Sequence, residues 1–333
     1  MVASIGKIAS PSQGVGYFER DGYYAKEDAA HKEASAWAGR GAEALGLSGP
    51  VDPERFRAVL EGEVPGGRRL GRKEIDGSIT HRPGRDVTLS APKSASLMAM
   101  VGGDERIVEA HDRAVAATLG WIEKNAVETR MRDPGTGPGQ APATGAMVRA
   151  DGQKMVAATF RHDTSRNLDP QLHTHAVIAN MVQGEDGKWR TMVDDGLFNG
   201  KMAIGAIYRA ELAQGLKGLG YGIGKTHADG RFEIEGVSRE VIDAFSTRRA
   251  EIEAAMAERG MGESKDNPHL AARAALMTRA TKRDIDRGEL GRSWQRQAKG
   301  LGFSAAKVRA NAHKAERGLL GPDLFAGPGY AAG

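Results

Sequence analysis

"MVAATFRHDTSRNLDPQLHTHAVIAN", residues 155–180, carries three of the chain's nine histidines. "MVAATFRH" and "LHTHAVIAN" read as strands, and Asp169-Pro170 between them supplies turn chemistry. A strand sends successive side chains to opposite faces, so His173 and His175 point the same way. If the two strands pair, His162 at the end of the first converges on them. Neutral imidazole is a common transition-metal ligand, and three of them leave coordination positions open, as a catalytic ion needs and a closed structural site does not. The chain has no cysteine, so no thiolate competes and no disulfide forms. The spacing therefore predicts a metal site at His162, His173 and His175. Asp163 and Asp169 are close enough in sequence to orient a ligand. For Asp169 the turn is the preferred explanation.

Outward from this pair, the pattern predicts an α+β fold. "GAMVRADGQKMVAATFRH" reads as two strands around Asp151-Gly152, and "LHTHAVIANMVQGEDGKWRTMV" as two more around Gly184–Gly187. "YGIGKTHADGRFEIEG" reads as a third hairpin. "GRDVTLSAP" alternates Val87 and Leu89 with polar neighbours and stops at Pro92. "KSASLMAM", residues 104–126 and "GKMAIGAIYRAELAQGLKGLG" have helical apolar spacing, the last ended by glycine. Residues 26–47 read as an alanine-rich helix, and 133–145 as a proline- and glycine-rich loop. From Ser238 onward nearly everything reads as helix. The expected architecture is a central antiparallel, palm-like sheet flanked by helices, with a core over 1–236 and a helical, basic region over 237–333.

The 333 residues suffice for one large domain or two ordinary ones, and 40% are apolar. No run of 18 apolar residues is present, so no membrane insertion is expected. "MVASIGKIASPSQG" has no apolar h-region, so no signal peptide is read, and a cytoplasmic location is expected. Net charge is only +4, but Leu270–Arg317 holds twelve Lys/Arg against four Asp/Glu, leaving 35 against 39 elsewhere. A second basic cluster runs through Arg68, Arg69, Arg72, Lys73, Arg82 and Arg85. Basic charge in blocks suits a polyanion. Three of the six tyrosines fall in "GYFERDGYY": Tyr17, Tyr23 and Tyr24. Beside a metal site, a phenol can attack phosphorus and form a covalent phosphotyrosine, given help in losing its proton.

Four stretches in order, "GYFERDGYYAKED", "WAGRGAEALGLSGPVD", "HRPGRDVTLSAPKSASLMAMVGGD" and "RHDTSRNLDPQLHTHAVIAN", resemble the N-terminal domain of MobF-family conjugative relaxases, which are HUH endonucleases. The resemblance runs from about Tyr17 to Gly236 and more loosely beyond. It departs in two places: Thr174 is the middle of the His-x-His triplet, and the first tyrosine pair is Tyr17-Phe18. The resemblance implies a site- and strand-specific nickase acting at a plasmid transfer origin in the bacterial cytoplasm. Tyr17 is then the nucleophile, Tyr23 or Tyr24 serves a second transesterification, and His162, His173 and His175 are the metal ligands. Asp86 is either the proton acceptor or the group that orients a ligand. A divalent ion is implied, Mg²⁺ or Mn²⁺ in the cell, although Zn²⁺ or Ni²⁺ could occupy such a site.

Partners implied are single-stranded DNA, an adjacent DNA hairpin, accessory relaxosome proteins and a coupling protein, with the chain itself a monomer. Arg68, Arg69, Arg72, Lys73, Arg82, Lys93 and Arg166 are the expected DNA contacts, Lys93 at a strand-to-helix junction. By analogy the C-terminal helices close over the bound strand. "LGYGIGKT", 219–226, imitates a phosphate-binding loop but has Leu219 where glycine is required and follows a helix, so no ATPase activity is expected. Full-length proteins of the family usually continue into a helicase, and none of its motifs stands in these residues. Alternatives are a rolling-circle replication initiator, a phosphodiesterase using water, or a DNA-binding module with a structural metal. Tyrosines ahead of the metal motif favour the relaxase over the initiator.

Overall fold

A computed structural model describes residues 3–12, 14–15, 35–133, 145–151, 153–264, 267–278 and 286–319. The chain divides into two units, one of Met1–Ser90, Arg113–His162 and His173–Glu211, the other of Ala91–Asp112, Asp163–Leu172 and Leu212–Gly333.

The first unit is built on a six-stranded sheet. With strands numbered in chain order, it runs β1 (Ser4–Lys7), β7 (Gly84–Ser90), β11 (Pro170–Gln183), β10 (Lys154–Thr164) and β2 (Ser35–Ala38), with β12 (Trp189–Arg190) also on β11. The expected pairing of "MVAATFRH" with "LHTHAVIAN" is the β10–β11 contact at the sheet's centre. One sheet face carries Ala158, Phe160 and Val177, buried with Ile8, Val15, Val51, Phe56 and Leu60. Farther along, Val156, Ala179 and Met181 pack with Val59, Val64 and Trp189. Phe56, Val59 and Leu60 are the buried side of helix α2 (Pro53–Leu60), which Asp52 caps by accepting from the Arg55 amide at 2.9 Å.

Two predictions are corrected in this unit. Residues 35–38, expected as helix, form β2, which pairs with β10 from Ala157↔Ala38 to Phe160↔Ser35. Only Arg40–Ala44 is helical there, as α1. Alanine's helix propensity is a weak prior beside tertiary packing. Trp37 lies edge-on to Phe56 at 6.2 Å, and the Ser35 hydroxyl accepts from the Val51 amide at 3.2 Å. Gly39 makes the exit turn at φ 93°, where an added Cβ would come 2.3 Å from the Met155 carbonyl oxygen, so the position needs glycine.

Second, the strands on either side of Asp151-Gly152 do not form a hairpin. β9 (Met147–Asp151) pairs with β8 (Glu128–Arg132), which pairs with β13 (Met192–Val193) in a separate three-stranded sheet. A turn dipeptide marks a reversal, not the partner. Mostly exposed β9 takes the small sheet, and apolar β10 takes the large one. The β11–β12 hairpin forms as expected, with the Gly184 amide donating to the Lys188 carbonyl at 3.0 Å. Two ribbons precede β7: β3 (Glu63–Val64) with β4 (Arg68–Arg69), and β5 (Arg72–Lys73) with β6 (Ile79–Thr80).

In the second unit, helix α3 (Lys93–Met100) is held at its start by Glu233, whose Oε2 accepts from the Ser94 amide at 2.9 Å and its hydroxyl at 2.5 Å. Helices α4 (Glu105–Asn125) and α6 (Lys201–Gly218) run across the division; α5 (Asp195–Asn199) belongs to the first unit. The third expected hairpin forms irregularly: Ile223 and Ile234 make an antiparallel bridge, the Gly224 amide donates to the Glu233 carbonyl and the Glu235 amide to the Gly222 carbonyl, each at 2.9 Å, and the His227 amide donates to the Arg231 carbonyl at 2.8 Å. Residues 219–226 thus follow a helix and lead into no other. Beyond Ser238 the described regular structure is all helix: α7 (Arg239–Ala244), α8 (Thr247–Ala257), α9 (Pro268–Met277), α10 (Arg287–Gly300) and α11 (Ala305–Leu319). Buried Asp104 accepts from the Tyr221 hydroxyl at 2.8 Å and from Arg106 at 2.7 Å, and Arg106 reaches Glu316 of α11 at 2.5 Å. No described helix is long and apolar enough to cross a membrane.

Candidate metal centre

The register of β7 against β11 places His173 opposite Ser90, His175 opposite Thr88 and Val177 opposite Asp86. Alternation then puts His173 and His175 on one face with Asp86 and Thr88, while Leu172, Thr174 and Ala176 are buried on the other. Thr174, the departure from an apolar middle residue, fills a slot that is 2% exposed. His162 on β10 shares a face with Phe160 and Ala158, so the apolar face described above ends in imidazoles.

The three rings meet as predicted. Ring centroids lie 4.8 Å apart for His162–His173 and for His162–His175, and 5.2 Å for His173–His175. One nitrogen from each falls within 4.8 Å of the others. Imidazole nitrogens bound at about 2.1 Å around one ion stand roughly 3.4 Å apart in tetrahedral geometry, so small side-chain rotations close the set. His162 is 8% exposed, which shields the site on one side. The residues present fit a divalent ion.

Asp86 Oδ2 lies 2.7 Å from His175 Nδ1. A carboxylate only accepts, so Nδ1 carries the proton, donates to Asp86, and leaves Nε2 as the ligand nitrogen. Thr88 Oγ1 stands 3.3 Å from the same Nδ1. The other carboxylate oxygen, Asp86 Oδ1, is buried and has no hydrogen-bond partner among the described residues. Asp163 and Asp169, the other candidates for orienting a ligand, are bound elsewhere: Asp163 to Arg287, Asp169 to Thr247 at 2.8 Å. Asp169 also makes the expected turn, its amide donating to Ser165 Oγ at 3.1 Å. Converting Asp86 to Asn is expected to weaken Mn²⁺ binding by about 10- to 100-fold, as losses beside a metal ligand commonly do. A Mn²⁺ titration without DNA measures this, and an unchanged midpoint would detach Asp86 from the site.

Tyr17, Tyr23 and Tyr24 lie outside the described residues. Arg68, Arg69, Arg72 and Lys73 sit exposed on β4 and β5, with Arg69 paired to Glu61 at 2.8 Å and Arg72 to Glu74 at 3.5 Å. Arg166 is half-buried in the β10–β11 turn. Arg82 and Lys93 are also engaged internally. Arg82 reaches the Asn180 side chain, the Met192 carbonyl and Asp194, each at 3.4 Å. Lys93 donates to the Pro170 carbonyl at 2.8 Å, and burial lowers its pKa to about 8 against the pull of Asp169 and Glu233. The anion-binding amides at the start of α3 already hold the Glu233 carboxylate. Glu233 lies about 140 residues along the chain from this junction, with no local signal to announce it.

A family model described as TrwC relaxase matches residues 11–301. "Multifunctional conjugation protein TraI" of Escherichia coli is 38% identical over 307 residues, which cover 90% of this chain and 16% of that protein. Among solved structures, the metal-bound conjugative relaxase TrwC in complex with OriT DNA superposes with a TM-score of 0.77 at 39% identity, covering 91% of this chain and 100% of that one. TrwC complexed with a 27-mer DNA comprising the recognition hairpin and the cleavage site superposes at 0.75, with 38% identity, 91% of this chain and 100% of that one covered.

Proposed function

The chain belongs to the TrwC relaxase family, and from that premise we propose that it nicks one DNA strand at a plasmid transfer origin, leaving a covalent 5′-phosphotyrosine and a free 3′-OH. The carrying observation is the three-histidine cluster with Asp86 braced against His175. The chain spans 16% of the curated relative's length, so the proposal concerns the nicking step and not the whole protein.

Each residue has a stated task. His162, His173 and His175 hold a divalent ion, Mg²⁺ or Mn²⁺ in the cell, which supplies relief of negative charge on the scissile phosphate. Asp86 Oδ2 would fix the tautomer and angle of His175, and Oδ1, buried and without a hydrogen-bond partner among the described residues, would accept the phenol proton. Tyr17 oxygen bonds to phosphorus in line as the bond to the 3′-oxygen breaks, and that oxygen takes a proton from solvent. No water is consumed, so the bond energy is retained: Tyr23 or Tyr24 serves the second transesterification, and a free 3′-OH attacks the Tyr17 phosphotyrosine, rejoining the strand and releasing the phenol. The basic ribbons bearing Arg68, Arg69, Arg72 and Lys73 contact phosphates of the DNA and its adjacent hairpin, with Arg166 in support, and binding weakens steeply with salt. Residues 1–236 carry the chemistry, and the basic helices of 237–333 enclose the strand. The chain works as a monomer in the bacterial cytoplasm, with accessory relaxosome proteins and a coupling protein.

Labelled single-stranded oligonucleotide spanning the transfer origin, incubated with Mn²⁺, should give a protein–DNA band that survives denaturation. Cleavage with no such band would replace the phenol with water and defeat the proposal.

A further inference from the structure

The turn between the two histidine-bearing strands, residues 163–169, does not hold itself in shape. Leu168 has φ 64°, the one positive value at a non-glycine residue among those described. For a side chain with a Cβ this conformation costs about 1–2 kcal/mol, so something else must stabilise it. Inside the turn the Leu168 amide donates to the Ser165 carbonyl at 3.0 Å and the Ser165 amide to the Asp169 carbonyl at 2.8 Å.

The remaining restraints come from helices far along the chain. Trp294 of α10, 8% exposed, donates its indole N–H to the Leu168 carbonyl at 2.8 Å. Asp169, 6% exposed, accepts from Thr247 Oγ1 at 2.8 Å. Thr247 is the first residue of α8, whose own N-cap residue, Ser246, makes no capping bond and donates its hydroxyl back to the Ile242 carbonyl at 2.6 Å. Asp169 is therefore tied to the start of α8 through the Thr247 side chain, which gives the buried carboxylate a partner. Arg287 pairs with Asp163 as well, but that pair is exposed and contributes little.

We infer that Asp169 and Trp294 are positioning residues for the metal centre: by fixing the reversal between β10 and β11, they fix where His162 stands relative to His173 and His175. His162 lies two residues from the end of β10, and His173 three residues from the start of β11. Both ligands sit at the turn end of the ladder, where strands fray first and a ladder alone restrains them least. Ligand nitrogens must be held within a fraction of an ångström for an ion to gain full affinity. This inference rests on the metal reading of the three histidines.

The test is a Mn²⁺ titration without DNA on the whole chain, with melting temperature measured alongside, for the parent, Trp294→Phe, Asp169→Ala, Asp169→Asn and His175→Ala. Phenylalanine keeps most of the tryptophan's bulk and removes its N–H. Trp294→Phe and Asp169→Ala should each raise the Mn²⁺ midpoint about five- to tenfold, while single-turnover nicking at saturating Mn²⁺ stays within about twofold of the parent. Asp169→Asn, which keeps an oxygen for the Thr247 hydroxyl, should lose less than Asp169→Ala. A lowered melting temperature with the parent's Mn²⁺ midpoint, or a fall in saturated nicking with that midpoint, would overturn the inference. Parent binding no tighter than that of His175→Ala would overturn the metal reading itself, and this inference with it.

Discussion

His175→Ala should lower nicking by at least about a thousandfold and should not be rescued by excess Mn²⁺. In the proposed site His175 is both a ligand and the link to Asp86, whose Oδ2 stands 2.7 Å from its Nδ1. Charge relief at a scissile phosphate is worth several kcal/mol, and each 1.36 kcal/mol is about tenfold in rate. Removing the imidazole leaves two ligands and a carboxylate with neither a partner nor a ligand to aim. Added metal can refill a weak site but cannot restore the missing nitrogen. Asp86→Asn differs in its metal binding, since there the three imidazoles persist and excess metal restores occupancy, but the proposed proton acceptor is lost and added metal does not replace it. The ring lies at the edge of the apolar face and not within its core, so the fold should persist, visible as an unchanged circular dichroism spectrum. Activity within tenfold of the parent, with that spectrum intact, would remove His175 from the mechanism.

The histidine site was legible because a strand has a period of two and a short, turn-forming sequence joins the runs. Those facts bring three imidazoles to one end of one sheet face. Asp86 was legible only through resemblance. Its register opposite Val177, which brings it diagonally beside His175, depends on a pairing that no local pattern encodes. The misreadings share that cause. Ser35–Ala38 has helix-forming alanines, yet the exposed edge of β10 and the face of Phe56 make it a strand. Asp151-Gly152 signals a reversal, yet β8 captures one arm and β11 the other. Lys93 reads as a free cation at a helix start, and only the fold shows Pro170 and Glu233 around it. Local chemistry was readable, and partner choice across long sequence separations was not.

Tyr17→Phe isolates one atom. If the phenol oxygen is the nucleophile, its removal should cut the first cleavage by at least about a thousandfold, because a residue that forms a covalent intermediate has no substitute in the same position. Phe18, the adjacent aromatic, has no oxygen to offer. Tyr23 and Tyr24 retain theirs, but the proposed division of labour gives them the second transesterification, so Tyr23→Phe or Tyr24→Phe should spare initial cleavage and impair that second step. Affinity for single-stranded DNA should stay within a few-fold, since binding draws chiefly on phosphate contacts and base stacking spread over many nucleotides. That split between chemistry and binding separates the rival nucleophiles. A water molecule activated at the three histidines would attack as well in the Tyr17→Phe variant as in the parent, so hydrolysis would continue and no covalent band would have formed in the parent. Quantifying cleaved oligonucleotide and covalent adduct on one denaturing gel, with binding measured by anisotropy, reads all three quantities. Full cleavage by Tyr17→Phe would leave the histidine cluster as a metal site but assign its chemistry to a different nucleophile.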